Sequence, residues 1–433
     1  MPDSSTLMPY LFQAGLKENL SWATKVMVSN NGYEQKQRLR NAPRQSFAFS
    51  ISVPRGEIAK LDTLLYGNRG GEFYMPVSSE ARRLTGVTSA ASPTILASTE
   101  FADFRVGSQV LIWNGPRDFE IATILSMTTT YIIADANISK VFPVTALVMP
   151  LRIAYLKSNP KRKFDGDNQN FSGNFLVKEN IKLATAAAAT QYKDFDVYLD
   201  QPLTVSSTAV DVYETRVDVL DYGTGVREQF TPHLKTKTKR SFGVQLDSQE
   251  DVWNFRLWLH RRAGKYLPFW MPTWECNFTL LSTGALTTQF LAVNDGQDLL
   301  SDGRNDLAIQ TDAGWLLREI IDIVPSGNDL LVTLDSSIAI DASDITLISF
   351  MGRKRLTSDN ANIVWDGNNT AHATVGITEV NDYVAHPSTT GEGNSFCPTK
   401  GLRVTQSVLE VLIKNPSDLR TTQSVMEVIH KGT

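Results

Sequence analysis

Lys239-Arg240-Ser241-Phe242, then an amphipathic run from Glu250 to His260, then Phe269-Trp270-Met271-Pro272: this succession is the second appearance of an order already met earlier in the chain. Its first appearance is Asn41-Ala42-Pro43-Arg44-Gln45-Ser46-Phe47, Glu57 to Leu65, and Phe73-Tyr74-Met75-Pro76. Working outward, Thr24-Lys25-Val26 answers Thr215-Arg216-Val217 at a separation of 191, and Glu34-Gln35 answers Glu228-Gln229 at 194. Ser46-Phe47 answers Ser241-Phe242 at 195, Met75-Pro76 answers Met271-Pro272 at 196, and Glu120-Ile121 answers Glu319-Ile320 at 199. Tyr155-Leu156 faces Arg355-Leu356, and Val177-Lys178-Glu179 faces Ile377-Thr378-Glu379, both at 200. A slow drift of this kind is what small loop insertions leave in two copies of one fold, whereas chance matches scatter. Each copy is long enough to hold its own core, unlike the short units of a solenoid.

Most segments alternate with period two, or are rich in β-branched and aromatic residues between Gly, Asn, Asp and Ser. This predicts a mainly β protein of many short strands. The clearest are Gln45 to Val53, Gln109 to Trp113, Glu120 to Ser126, Tyr131 to Ala134, Leu330 to Leu334 and Ile345 to Phe350. Each copy has one helix. Asp247-Ser248 can cap Gln249 to Arg262, with Glu250 and Asp251 in the first turn, His260, Arg261 and Arg262 in the last, and Gly264 beyond. Val252, Phe255 and Leu259 share a face. The counterpart runs from about Gly56 to Tyr66 and stops at Gly67.

The expected organisation is a first repeat over 1–182, with a base domain at 8–80 and 150–180 and an inserted β module at 85–149. A connector follows at 183–210; within it the plain Ala184 to Thr190 is too short to bear function. The second repeat covers 211–382, with its base at 211–280 and 351–382 and its module at 283–350. Each module reads as a small barrel or sandwich on hairpins, and each base closes with strands over Arg152 to Glu179 or Arg353 to Val380. Residues 383–433 are a polar linker, Tyr383 to Pro398, and a β-hairpin arm. In that arm Thr405-Gln406-Ser407-Val408-Leu409-Glu410-Val411 recurs as Thr422-Gln423-Ser424-Val425-Met426-Glu427-Val428. An isolated hairpin is marginal, so the arm is expected to pair onto a sheet edge of a neighbouring subunit.

Composition narrows the function classes. Hydrophobic residues at 42% and charged residues at 20% describe an ordinary soluble globular chain, with no apolar run of membrane-spanning length and no secretory pattern after Met1-Pro2-Asp3. With 42 basic and 46 acidic residues the net charge is −4, which gives no global pull toward nucleic acid. Locally, Lys235, Lys237, Lys239 and Arg240 read as a solvated strand face in preference to a phosphate-binding stripe, and Lys161-Arg162-Lys163 as an exposed turn. Two cysteines, Cys276 and Cys397, make neither a disulfide framework nor a four-ligand zinc site, and fit assembly in a reducing cytoplasm.

No catalytic chemistry is legible. His233, His260, His372, His386 and His430 are scattered, and no nucleophile elbow, phosphate loop or dinucleotide fingerprint is present. Asp165-Gly166-Asp167 opens like a calcium loop but lacks its completing glutamate, and reads as a turn. The paired carboxylates of a glycosidase come together only in a fold, so sequence leaves that possibility open. The expectation is a non-enzyme with no catalytic or metal-ligating residues and no cofactor, and with its ligand-binding residues undefined. Phe269-Trp270-Met271-Pro272-Thr273-Trp274 is the densest aromatic cluster. It reads as a core or interface strand, because the other copy keeps Phe73-Tyr74-Met75-Pro76 there; exposed tryptophans would instead make a stacking platform for sugars or bases.

Taken jointly, Leu20-Ser21-Trp22-Ala23-Thr24-Lys25-Val26 through Glu34-Gln35, Arg38 to Phe47, the Phe-Trp-Met-Pro-Thr-Trp element and Arg355-Leu356-Thr357-Ser358-Asp359 resemble tail-tip proteins of long-tailed bacteriophages. The similarity is to the distal-tail or baseplate-hub group and spans residues 8 to 380; the repeated C-terminal strands also look like an appendage of phage structural proteins. The chain is longer than many small distal tail proteins, and it lacks the cysteine set of hubs that bind an iron–sulfur cluster. The resemblance implies a tail-tube-like β-sandwich flanked by a helix in each repeat. It also implies a structural virion protein at the tail tip, assembled in the host cytoplasm, that joins the tube to the tip or receptor-binding apparatus and lines the DNA channel. The implied partners are itself, the tail tube protein, the tape measure protein and other tip, hub or fibre proteins, with DNA only in transit and no membrane insertion. Three chains of two tube-like domains give six near-equivalent positions, so a homotrimer with pseudo-sixfold symmetry competes with a homohexamer. The alternative expectation is a tail-associated carbohydrate-binding protein.

Overall fold

Alternating apolar residues in short segments set the architecture, and the protein is mainly β. The computed structural model describes residues 6–8, 15–29, 32–68, 70–165, 168–188, 190–201, 210–223, 225, 227–231, 236–297, 304–367 and 369–380. The linker and repeated hairpin expected over 383–433 lie outside the described residues.

The first half opens with β1 (Leu16–Ser21), the hairpin of β2 (Thr24–Val28) and β3 (Glu34–Arg38), β4 (Arg44–Pro54), helix α1 (Ile58–Gly67) and β5 (Phe73–Pro76). It continues through β6 (Arg82–Arg83), β7 (Thr94–Leu96), β8 (Gln109–Gly115), β9 (Asp118–Met127) and β10 (Tyr131–Ala134). It closes with β11 (Leu147–Leu156), β12 (Lys161–Asp165) and β13 (Asn168–Val177). Two short strands, β14 (Gln191–Tyr192) and β15 (Phe195–Asp196), lie in the connector. The second half has β16 (Val210–Glu214), the hairpin of β17 (Asp218–Asp221) and β18 (Arg227–Phe230), β19 (Lys237–Leu246), α2 (Gln249–Arg262) and β20 (Phe269–Pro272). It ends with β21 (Gln289–Val293), β22 (Asp306–Thr311), β23 (Gly314–Ser326), β24 (Asp329–Leu334), β25 (Ile345–Leu356), β26 (Asn360–Trp365) and β27 (Ala371–Glu379).

The ladders of the two halves have the same order, all antiparallel. β4 pairs with β1 and β13 as β19 pairs with β16 and β27. β11 pairs with β5, β8 and β13 as β25 pairs with β20, β22 and β27. The meander β8–β9–β10–β7 has its parallel in β22–β23–β24–β21. Among the described residues one ladder crosses the halves: β1 adds to β26, from Leu16 opposite Trp365 to Ser21 opposite Asn360.

Among the described residues, three large apolar cores result, with two smaller clusters around Leu111 and Met149 and around Trp270 and Met351. The meanders each hold one of their own, around Ile95, Val110 and Phe142 in the first half and around Phe290, Leu307 and Phe350 in the second. The base regions instead share a single core, in which Phe47, Ile51 and Phe175 pack in one cluster with Phe242, Leu259 and Ile363. Two separate base cores were expected; β1 lies between β4 and β26, and its Leu16 and Leu20 fuse them.

Helix α2 forms where the sequence places it. Ser248 Oγ accepts the Asp251 N–H at 3.1 Å, acids occupy the first turn and bases the last, and Ala263 and Gly264 end it in left-handed conformation, at φ 51° and 69°. A Cβ on Gly264 would meet Asp359 Oδ1 at 2.4 Å, so this turn needs glycine for space as well as for φ. Helix α1 is shorter, is led in by a 3-10 turn over Arg55–Glu57, and has no side-chain cap. Lys161-Arg162-Lys163, expected as a turn, is strand β12; its side chains are exposed, and five residues pair antiparallel with β13.

Candidate assembly interface

The seam between the halves is where unusual chemistry concentrates. On β1 the alternation Leu16-x-Glu18-x-Leu20 points a carboxylate into the core, and on α2 Arg256, four residues after Val252, points a guanidinium at it. Both are sequestered, Glu18 at 0% and Arg256 at 2% exposure, and Arg256 Nη2 lies 2.8 Å from Glu18 Oε2. The other nitrogen of the fork, Nη1, lies 2.7 Å from Glu80 Oε1, while Gln45 Nε2 donates to Glu18 Oε1 at 2.8 Å.

Glu80 passes the network onward by accepting the Asp103 N–H at 2.6 Å. The Asp103 carboxylate is held by Arg152, at 2.9 Å, and by Arg105, whose Nε donates at 2.8 Å. Three carboxylates and three guanidiniums thus balance, which is what allows charges to stay ionised in a core. Burial pushes the Asp103 carboxyl up, but Arg152 and Arg105 outweigh it and draw it down to about 2. Beside them His260 is kept neutral: burial lowers its pKa, and Arg256 adds to the effect, to about 4. Its Nδ1 accepts the Leu183 N–H at 3.4 Å, and Trp22 packs edge-on at 5.8 Å between ring centres. The cavity among Asp103, Arg256 and His260 holds about 10 Å³, room for about one water and not for a ligand.

A second set of bonds locks the first half's hairpin onto the second half. Glu34 of β3 takes a bidentate fork from Arg355 at 2.7 and 2.9 Å and an ion pair from Lys237 at 3.3 Å. Burial raises the Glu34 carboxyl, yet Arg355 and the neighbouring lysines bring it to about 2. Asp359 accepts the Thr24 N–H at 2.8 Å and the Lys265 N–H at 3.0 Å, clamping the start of β2 to the turn after α2.

The basic stripe is therefore corrected: Lys237 is 5% exposed, because a buried carboxylate on β3 demands a cation. Arg240 pairs with Asp211 and Lys239 with Glu214, while Lys235 lies outside the described residues. The aromatic element is strand β20, as its match to β5 implied, and both strands are buried along their length. Trp270, 4% exposed, meets Tyr192 edge-on at 5.4 Å, and Trp274 packs edge-on against Trp315 at 5.2 Å. Trp270 therefore presents no open face for stacking.

His372 sits 2.8 Å from Asp366 at the surface, and Cys276 is exposed; His233, His386, His430 and Cys397 lie outside the described residues. Among the described residues no three metal-ligating side chains converge, and no helix is long and apolar enough to cross a membrane. Sequence reasoning passed over Glu18 and Arg256. The available signal was a charged residue at an inward position of a period-two strand and another on the apolar face of a helix.

What the seam does chemically is join two β bodies in one fixed register, through strand addition reinforced by ion pairs. No known protein-family model matches the chain, and no curated protein matches its sequence.

Proposed function

We propose that the chain is a structural, ring-forming adaptor at the distal end of a phage tail. It would be built of two copies of a tail-tube-like sandwich, each carrying an inserted β module. On this reading it joins the tail tube to the tip or receptor-binding apparatus and encloses the channel through which DNA leaves. Its work is assembly, by interface burial and strand addition, with no covalent step. Three chains supply six near-equivalent positions around a sixfold tube.

The observation that carries the reading is the β1–β26 addition, by which two halves of matching ladder order are spliced edge to edge into one sheet. A body extended by adding like units at its edges is the construction a tube-capping ring needs. The near-neutral balance suits a channel wall, since tight phosphate contacts would slow passage.

Gold-labelled antibody against the purified chain, applied to virions, tests the proposal. Label at the tail end remote from the capsid is the expected result. Label on the capsid, or none on intact or tip-exposed particles, would sink it.

A further inference from the structure

The seam inside the chain has a counterpart that the chain alone leaves open. β16 stands to β19 as β1 stands to β4, and β12 stands to β13 as β26 stands to β27. The second correspondence is visible in sequence too, where Phe164-Asp165-Gly166 matches Trp365-Asp366-Gly367. β1 and β26 pair with each other; among the described residues β12 has only β13 as a ladder partner, and β16 only β19.

Burial follows that difference. Trp365 on the paired strand is 3% exposed, whereas Phe164, its match in sequence near the end of β12, is 72% exposed. On β16, Val210, Val212 and Tyr213 are exposed, and the β17–β18 hairpin beyond it adds Val219, Leu220 and Phe230. So many large apolar side chains within about twenty residues of a bare strand edge amount to an interaction surface. The acids of β16 are engaged with β19, Asp211 with Arg240 and Glu214 with Lys239, so the open edge offers backbone groups and apolar side chains.

We infer that β16 of one chain adds antiparallel to β12 of a second copy, repeating between chains the splice that β1 and β26 make within one. The inference rests on the ring-forming reading above and names its closing contact. The interface is head-to-tail: each chain offers one β16 edge and one β12 edge, so assembly ends only when a ring closes. The β17–β18 hairpin then lies over the next copy as β2–β3 lies over the second half. That places Glu228, the match of Glu34, toward the next copy's Tyr155, the match of Arg355.

The test uses the full chain, with mass read by native mass spectrometry and sedimentation. The wild-type chain should form a closed oligomer. Val212→Lys, which blocks one edge, and Phe164→Lys, which blocks the other, should each weaken association at least about tenfold and run as monomers. Mixed in equal amounts they should form one-to-one pairs and nothing larger, because the mixture contains one intact β16 edge facing one intact β12 edge. Both positions are exposed, and pairing in the mixture itself shows that the variants are folded. The seam is overturned if the wild-type chain stays monomeric at every concentration, or if either single variant still forms the wild-type oligomer. It is also overturned if the mixture stays monomeric while both variants melt like wild type. Tip labelling of virions together with a monomeric chain would sink the seam and leave the tail reading standing.

Discussion

The seam between the halves and the cores of the two meanders solve the same packing problem with opposite materials. Each meander closes over apolar side chains such as Phe142 or Phe290. The seam buries Glu18, Arg256, Glu80, Asp103 and Arg152 beside its apolar residues. Apolar contacts are tolerant of small shifts, while a network of forked ion pairs is satisfied in one geometry only. The contrast teaches that the meanders need only be closed, whereas the two halves are joined at a fixed register.

The sharpest way to break the contrast is Arg256→Ala, which strands the Glu18 and Glu80 carboxylates. A loss of about 3–5 kcal/mol is expected, at the upper end because two partners are orphaned. Hydrogen exchange should rise in both halves; protection lost in only one half would contradict the shared core. Phe142→Ala is the matched cut in an apolar core, costing about 3–4 kcal/mol from the cavity it leaves. Its exchange should rise within residues 84–148 and leave β1 and α2 protected, and spread to α2 would refute the meander's independence.

Acid sharpens the comparison next. His260 is neutral in the folded chain down to about pH 4 and takes a proton near 6.5 when unfolded, so its contribution is present above 6.5 and lost as pH falls toward 4. The size is about 3 kcal/mol at most. The unfolding midpoint in urea should drop over that window in the wild-type chain and flatten in His260→Gln; an unchanged slope would show that the seam does not sense protons through this ring. Asp103 and Glu34, held near 2, lose their contribution only at still lower pH. The smallest effect belongs to Ser248→Ala, which removes the α2 cap remote from either charged cluster and should cost about 1 kcal/mol with no change in pH slope.

Much of the fold was legible. The strands over Gln45 to Val53, Tyr131 to Ala134 and Leu330 to Leu334 follow from alternation, and α2 from its cap and last-turn bases. The stripe at Lys237 was misread, since fifteen intervening strands separate its number from the Glu34 that neutralises it in a different half. Lys161 to Lys163 was misread because charge suggested a turn, while an exposed edge strand can be as charged as a loop.

The sequence by itself determined the mainly β class, the place of each helix and the matching order of the two halves. These depend on side-chain period and capping within a few residues. Only the tertiary structure decided that β1 crosses to β26, that Arg256 meets Glu18, and that, among the described residues, β12 and β16 each pair along one edge only. Those facts depend on which distant edges meet, and strand pairing between segments hundreds of residues apart leaves no local period to read.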